Sequence, residues 1–272
     1  MARIASLPPI KGPYDKGRMQ LTHQEKTWAL AIKEGIESEA EVDNLTDFWY
    51  AQLALICHDD VSNAIERAQQ LQYLREEYNI VETYEFGRRC IHQAISLFPD
   101  YYLCLSFNHQ DGNYVLVVDL TKLPMSTFRT NPNAVDIKVC EIYFMSHLMS
   151  PDFEAIRRGI ICVAECEGYQ MQHDIGVGIW RRVWDMVVPY PLNLQKIKHF
   201  HTGVMSNIMV SMVRQFLPRS IKDRIEVGCL SEAGRLDGMY LMPNKEAARK
   251  RTLSRLEDAL QRRYNNEAAF KL

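Results

Sequence analysis

The sequence predicts an α/β protein in which an N-terminal helical bundle is followed by a lobe built on a mixed, partly parallel sheet. Three observations carry this. In roughly the first eighty residues the apolar positions recur at helical spacing, i, i+3, i+4, i+7. Two β-branched runs, Tyr114–Asp119 and Gly159–Ala164, have the near-continuous apolar character of strands buried on both faces. Beyond Phe98-Pro99, strand-like runs alternate with helix-length amphipathic segments, the order of parallel strands joined by crossover helices.

Residues 1–20 hold Pro8, Pro9, Pro13, Gly12 and Gly17 and are expected to form an extended or mobile leader. Prolines also stand where a secretory signal needs an apolar run. Thr22 and Glu25 form a T-x-x-E capping box that opens a helix with Trp28, Ile32 and Ile36 on one face. A second helix is expected from Leu45 to Cys57. Asp60 caps a third, with Val61, Ala64, Ile65, Ala68, Leu71 and Tyr78 on its buried side. The bundle is assigned to residues 21–95 and the α/β lobe to residues 96–243.

In the lobe, Tyr101–Phe107 reads as a strand and Asp111-Gly112-Asn113 as the turn into Tyr114–Asp119. Pro132 and Asn133 precede a helix over 135–149, and Pro151-Asp152 break the chain. The strand Gly159–Ala164 ends in Glu165-Cys166-Glu167-Gly168-Tyr169. A helix over 176–188 carries Ile179, Trp180, Val183, Trp184 and Val187, and a strand over 194–200 follows. Residues 244–272 form a charged C-terminal helix, drawn over Asn244–Arg263, in which Lys245, Arg249, Lys250, Arg251, Arg255, Arg262 and Arg263 outnumber the acids. Leu253, Leu256 and Leu260 give it a thin apolar stripe. It reads either as a solvated helix docked on the domain or as a membrane-surface or partner-binding helix.

Composition bounds the function. The 272 residues are 47% hydrophobic, enough for a sizeable core, and the net charge of −2 creates no global field favouring nucleic acid. No run of 18 apolar residues exists to span a membrane. The seven cysteines are irregularly spaced, with no CxxC and no zinc-type Cys/His pair, so reduced and mostly buried thiols in the cytosol are expected. No metal or cofactor is implied.

Catalytic constellations are missing as well. The chain has no phosphate-cradling glycine loop, no G-x-S-x-G and no H-E-x-x-H. His199 and His201 share a strand face without an evident third ligand, and read better as packed or surface histidines. Glu165 and Glu167 share a face at a strand end, where acid–base work competes with simple capping. No catalytic residue is assigned, and the chain is expected to bind rather than catalyse.

The most informative stretch is Tyr190–Arg224. Its helical part places Met205, Ile208, Met209, Met212, Val213, Phe216 and Leu217 at the spacing of one face. Such a stripe is either ordinary core or the cover of an exchangeable apolar partner, to which flexible methionines adapt.

The order of these elements resembles the CRAL-TRIO lipid-binding family. The matching segments are DVSNAIERAQQLQYLREEY (Asp60–Tyr78), GIICVAECEGYQM (Gly159–Met171), Tyr190-Pro191 through Ile197, and Phe216-Leu217 followed by Ile221-Lys222-Asp223-Arg224-Ile225. The resemblance covers roughly residues 45–230. It implies a helical bundle and an α/β lobe whose sheet floors an enclosed apolar pocket, closed by a mobile amphipathic helix, about Gly203–Leu217. It implies transfer of a small hydrophobic ligand (a retinoid, tocopherol, other isoprenoid or lipid) between membranes by a cytosolic monomer. A non-catalytic scaffold on the same fold, acting through its charged C-terminal helix, is the alternative.

Carried over position by position, the resemblance assigns a ligand-binding set. Val139, Ile142, Tyr143 and Ser146 come from the helix before the strand, with Tyr143 and Ser146 offering hydroxyls. Ile160, Ala164 and Tyr169 come from the strand and its end. Ile179, Val183, Val187, Tyr190, Leu192, Leu194 and Ile197 follow, and Met205, Ile208, Met209 and Met212 form the lid. Lys196, Lys198, Arg219, Lys222 and Arg224 are assigned to a transient membrane surface or a phosphoinositide. The chain departs from the family in several places. It has Trp49-Tyr50-Ala51-Gln52-Leu53 where an arginine-rich stretch is expected. Asn193, Gln195 and Ser220 occupy headgroup-binding positions, and Leu236–Tyr240 is only a remnant of the family's ending.

Overall fold

The computed structural model describes residues 16–39, 42, 45–98, 101–107, 114–123, 125–170, 176–200, 202–227 and 245–272. The expected turn at Asp111–Asn113, the remnant at Leu236–Tyr240, and His201 lie outside these, as do residues 1–15 of the expected leader. Its last residues are packed rather than extended. Lys16–Met19 form a short 3-10 turn, Met19 is buried, and Arg18 pairs with Asp152 at 2.9 Å.

The bundle begins with α1 (His23–Glu39), whose capping box is formed: Glu25 N–H donates to Thr22 Oγ1 at 3.2 Å, and Thr22 N–H donates to Glu25 Oε2 at 2.7 Å. Helix α2 (Asp47–Cys57) is apolar on nearly every side and is accordingly the central helix, with Phe48, Trp49, Leu53 and Ala54 essentially inaccessible. Asp60 caps α3 (Val61–Glu77) by accepting Asn63 N–H. A fourth helix, α4 (Tyr84–Leu97), was not resolved by the sequence reading. Thr83 caps it, and Gly87, Cys90, Ile91 and Ala94 form its buried seam.

The lobe is a sheet in the order β1 (Tyr102–Phe107), β2 (Tyr114–Asp119), β3 (Ile160–Glu165), β4 (Leu194–Phe200) and β5 (Ile225–Val227). β1 pairs antiparallel with β2, and β2 to β5 are mutually parallel, so the sheet is mixed as expected. From β2 on, strand order follows chain order, so right-handed crossovers all return over the same face. The crossovers are α5 (Met125–Thr130), α6 (Ala134–Met149) and α7 (Phe153–Arg158), then α8 (Val177–Val187), then α9 (Val204–Phe216) and α10 (Arg219–Lys222). Asp152, expected only to break the chain, also caps α7 by accepting Ala155 N–H at 2.8 Å.

Alternation along the strands divides the sheet. Leu116, Ile160, Cys162, Ala164 and Ile197 face the crossover helices, while Val115, Val117, Val163 and Phe200 cluster on the opposite side. The C-terminal helix α11 (Lys245–Ala269) runs past the expected Arg263 and is docked along its second half. Leu256, Ala259 and Leu260 join the core of α4 and α6, and Phe270 packs on Phe48 and Phe153. Arg263 is fully buried, its guanidinium 3.7 Å above the Phe48 ring. No helix among the described residues is long and apolar enough to cross a membrane.

Candidate functional site

Two regions bear on function: the sheet face beneath α9, and a cleft between the bundle and the lobe. Helix α9 contributes Met209, Val210, Val213 and the following Leu217 to one apolar cluster with Ala164, Tyr169, Leu194, Ile197 and Ile225. Ile179, Trp180, Trp184, Met205 and Phe216 pack around it. The helix starts at Gly203, which makes no side-chain cap, and ends at Leu217, extended ahead of Pro218 as residues before proline prefer. The buried stripe is rotated from the expected one. Ser206, Met209, Val210 and Val213 point inward, Met205 and Met212 flank them, and Ile208 is 46% exposed. Val204, on the first turn, is 77% exposed.

The remaining expected lining residues divide between two cores. Val139, Tyr143, Ile160 and Tyr190 are buried where α6 meets the bundle, with Ile142 and Leu192 beside them. Val183 is buried, and Val187 is half-buried. Tyr143 and Ser146 do not lie in the α9 cluster. Ser146 Oγ donates to Ile142 O at 3.0 Å, and the Tyr143 ring lies 4.8 Å from His147 and 5.7 Å from Tyr190. His147 is the centre of a buried polar network. Its Nε2 lies 2.8 Å from Glu82 Oε1, its Nδ1 lies 3.1 Å from Tyr190 Oη, and Arg75 pairs with Glu82 at 3.0 Å. Burial alone would raise the Glu82 carboxyl, yet His147, Arg75 and Arg263 hold it at about 2.

One polar group does lie on the apolar face. In the parallel register His199 sits beside Ala164, two residues from Ile197, so its imidazole shares their side of the sheet. It is 9% exposed, and Nδ1 has no hydrogen-bond partner. Burial, reinforced by Arg214 on α9, pushes its pKa down to about 4, so the ring is neutral at physiological pH. Glu165 has a local role: its Oε1 accepts the N–H groups of Cys166 at 2.8 Å and Glu167 at 2.9 Å, which caps the strand end.

The cleft has a volume of about 850 Å³. Trp28, Leu55, His58 and Arg67 form the bundle wall, and Val187, Tyr190, Leu192, Leu194 and Arg224 the lobe wall, with Asn193 and Ser220 at its side. Several expected ligand residues therefore border this polar opening. Its guanidinium groups are anchored. Arg67 donates to Val188 O at 3.0 Å, Arg224 to Leu194 O, and Arg157 to both Glu25 oxygens at 2.9 and 2.7 Å. The Arg157 pair holds the Glu25 carboxyl at about 2.

The five basic positions are spread over different surroundings. Lys196 and Lys198 alternate to the sheet face opposite Ile197 and pair with Glu226 at 2.8 and 3.8 Å. Arg219, almost fully exposed, pairs with Asp223 at 3.7 Å. Lys222 donates to Gln215 O at 3.4 Å. Sequence reasoning missed Val210, Ser206 and His199 as residues of the α9 interface. The i+1 and i−3 positions relative to Met209 were the available signal for the first two.

No family model matches the chain, and no curated protein matches it. Among solved structures, one titled "Crystal structure of Sfh5" is similar at 12% sequence identity and a TM-score of 0.49, over 77% of this chain and 82% of that one.

Proposed function

We propose that this protein binds a small hydrophobic molecule (a retinoid, tocopherol, other isoprenoid or lipid) and carries it between membranes as a cytosolic monomer, with α9 as the lid. The observation that carries the reading is the way α9 covers the crossover face of the sheet. The helix satisfies its own backbone hydrogen bonds, so lifting it breaks side-chain burial and few polar contacts. Gly203 and Pro218 bound it on either side, and a Cβ at Gly203 would meet open space. In the closed arrangement the side chains of α9 fill the region over Ala164 and Ile197. A ligand takes their place as α9 lifts, and each buried CH₂ contributes about 0.8 kcal/mol. Val204 and Ile208, already exposed, meet the bilayer first. The resemblance of Gly159–Met171 and Tyr190–Ile225 to the CRAL-TRIO family supports the same reading.

Lys222 and Arg224, which donate to backbone carbonyls, steer the lid end towards anionic lipid. Replacing both with alanine slows transfer to anionic vesicles and spares ligand affinity. Unchanged transfer at low salt removes them from that role.

The competing reading is a non-catalytic scaffold acting through α11. The close filling of the sheet face supports it, and so does the charged sequence of a helix docked along its second half. Mass spectrometry of an organic extract of the purified protein separates the two. A stoichiometric lipid, or uptake of retinoid, tocopherol or phospholipid probes, supports transfer. The absence of both rejects it.

A further inference from the structure

The contact between α4 and α6 contains a feature independent of any ligand. The two helices cross closely where Gly87 meets Phe144: a Cβ on Gly87 would lie 2.5 Å from the Phe144 ring. One turn further along α4 is Cys90, and one turn back along α6 is Cys140. The helices are therefore antiparallel at this crossing, and the two cysteines face each other across it. The Cys140 thiol is placed to donate to the Cys90 sulfur, and both residues lie in the same apolar cluster. Cys140 Sγ also lies 3.8 Å from Tyr78 O, the alternative acceptor for its single S–H proton.

We propose that Cys90 and Cys140 are an oxidant-sensitive pair that closes to an intramolecular disulfide when the protein meets hydrogen peroxide. Tight helix crossings bring facing cysteine Cα atoms towards the separation that a disulfide needs. The two sulfurs are not equivalent. The hydrogen bond from Cys140 favours the Cys90 thiolate against the opposing effect of burial, with Arg89 assisting. The same bond and burial raise the Cys140 thiol. Cys90 is therefore the attacking sulfur.

The Cys90 thiolate attacks one peroxide oxygen, the O–O bond breaks, and hydroxide leaves, giving Cys90 sulfenic acid. The Cys140 sulfur then attacks the Cys90 sulfur. The S–O bond breaks, water leaves with the Cys140 proton, and the S–S bond forms. The two thiols lose two electrons and the peroxide gains them. Hydrogen peroxide is small enough to enter at buried cysteines, residues that are 5% and 7% exposed, where a bulky disulfide oxidant is not. The bond would fasten α4 of the bundle to α6 of the lobe, closing the segment that contains β1 and β2.

The test is peptide mapping of the full chain. Native protein is treated with hydrogen peroxide, alkylated, and cut with chymotrypsin without reduction, which places Cys90 and Cys104 on separate peptides. The expected product joins the Cys90 and Cys140 peptides and disappears on reduction. Cys140→Ser accumulates a dimedone-reactive sulfenic acid at Cys90, whereas Cys90→Ser leaves Cys140 unmodified. Free thiols at both positions after oxidation, a link from either to another cysteine, or a link formed only in urea-unfolded protein overturns the proposal. The wild-type map alone decides this if a variant fails to fold. Dimedone capture at Cys140 in place of Cys90 overturns the order of attack.

Discussion

Removing the side chain of Met209 tests whether α9 is an independent lid, without knowledge of the ligand. Met209 is 4% exposed and lies in the cluster with Ala164, Leu194 and Ile197. Truncating a buried methionine to alanine costs about 2–5 kcal/mol, from lost transfer energy and the cavity left behind. That loss falls on every opening that exposes Met209, the lifting of α9 alone included. At about 1.4 kcal/mol per tenfold, amide exchange across Met209–Phe216 should accelerate by roughly 30- to several-thousand-fold in Met209→Ala. The amides of α2, whose side chains are buried on nearly all sides, exchange through opening of the whole molecule and mark its free energy in wild-type and variant alike. Native-state hydrogen exchange read by mass spectrometry or NMR resolves the two segments. An independent lid opens at a lower free energy than α2 in both proteins; equal opening free energies for α9 and α2 mean that the helix opens only with the whole molecule, and the lid is refuted. No acceleration at either means that the Met209 contacts contribute little.

Three further outcomes follow from the bundle and its contacts with α6 and α11. Arg263→Ala removes a guanidinium that is fully buried against Phe48 and leaves Glu267 without its 3.5 Å partner; a loss of about 3–5 kcal/mol is expected by denaturant unfolding. Gly87→Ala drives a methyl into the Phe144 ring and should destabilise by about 1–3 kcal/mol from overpacking, offset in part by better helix propensity; a raised melting temperature contradicts the close crossing. The Glu82 carboxyl is held at about 2 in the folded protein against an ordinary value of 4.5, so its contribution is present above the unfolded value and is lost as pH falls towards about 2. Glu82→Gln should therefore flatten the acid limb of the stability profile, and an unchanged limb locates the acid sensitivity elsewhere.

What was legible in the sequence were the elements whose local signals agree. The capping box at Thr22, the β-branched runs of β2 and β3, and the 194–200 strand each combine pattern with propensity, and all are present in the structure. Helix α4 was missed because the residues around its start, Val81–Arg89, are mostly polar and contain Gly87. That glycine weakens the local helix signal, yet it is what lets α4 approach Phe144. Asp152 was read as a breaker because an N-cap and a break share the same residue types; only the Ala155 N–H that it accepts distinguishes them. β5, Ile225–Val227, is too short to show a period.

The candidate site was legible as a stripe but not in its phase. On a helix, Met205, Ile208, Met209 and Met212 define a face by their hydrophobicity, and nothing in that pattern says which side of the face meets the sheet. The structure turns the helix so that Ser206 is completely buried and Ile208 is exposed. Hydrophobicity alone would have reversed those two. A small side chain lets the helix backbone come close to its support, and this outweighs the cost of leaving one isoleucine in water, provided that the serine hydroxyl is satisfied. It is, since Ser206 Oγ donates to Gly203 O at 3.0 Å. The same orientation leaves Val204 and Ile208 exposed on the outer side of the first turns, so the phase that the pattern could not supply is what gives the proposed lid an apolar edge for a membrane.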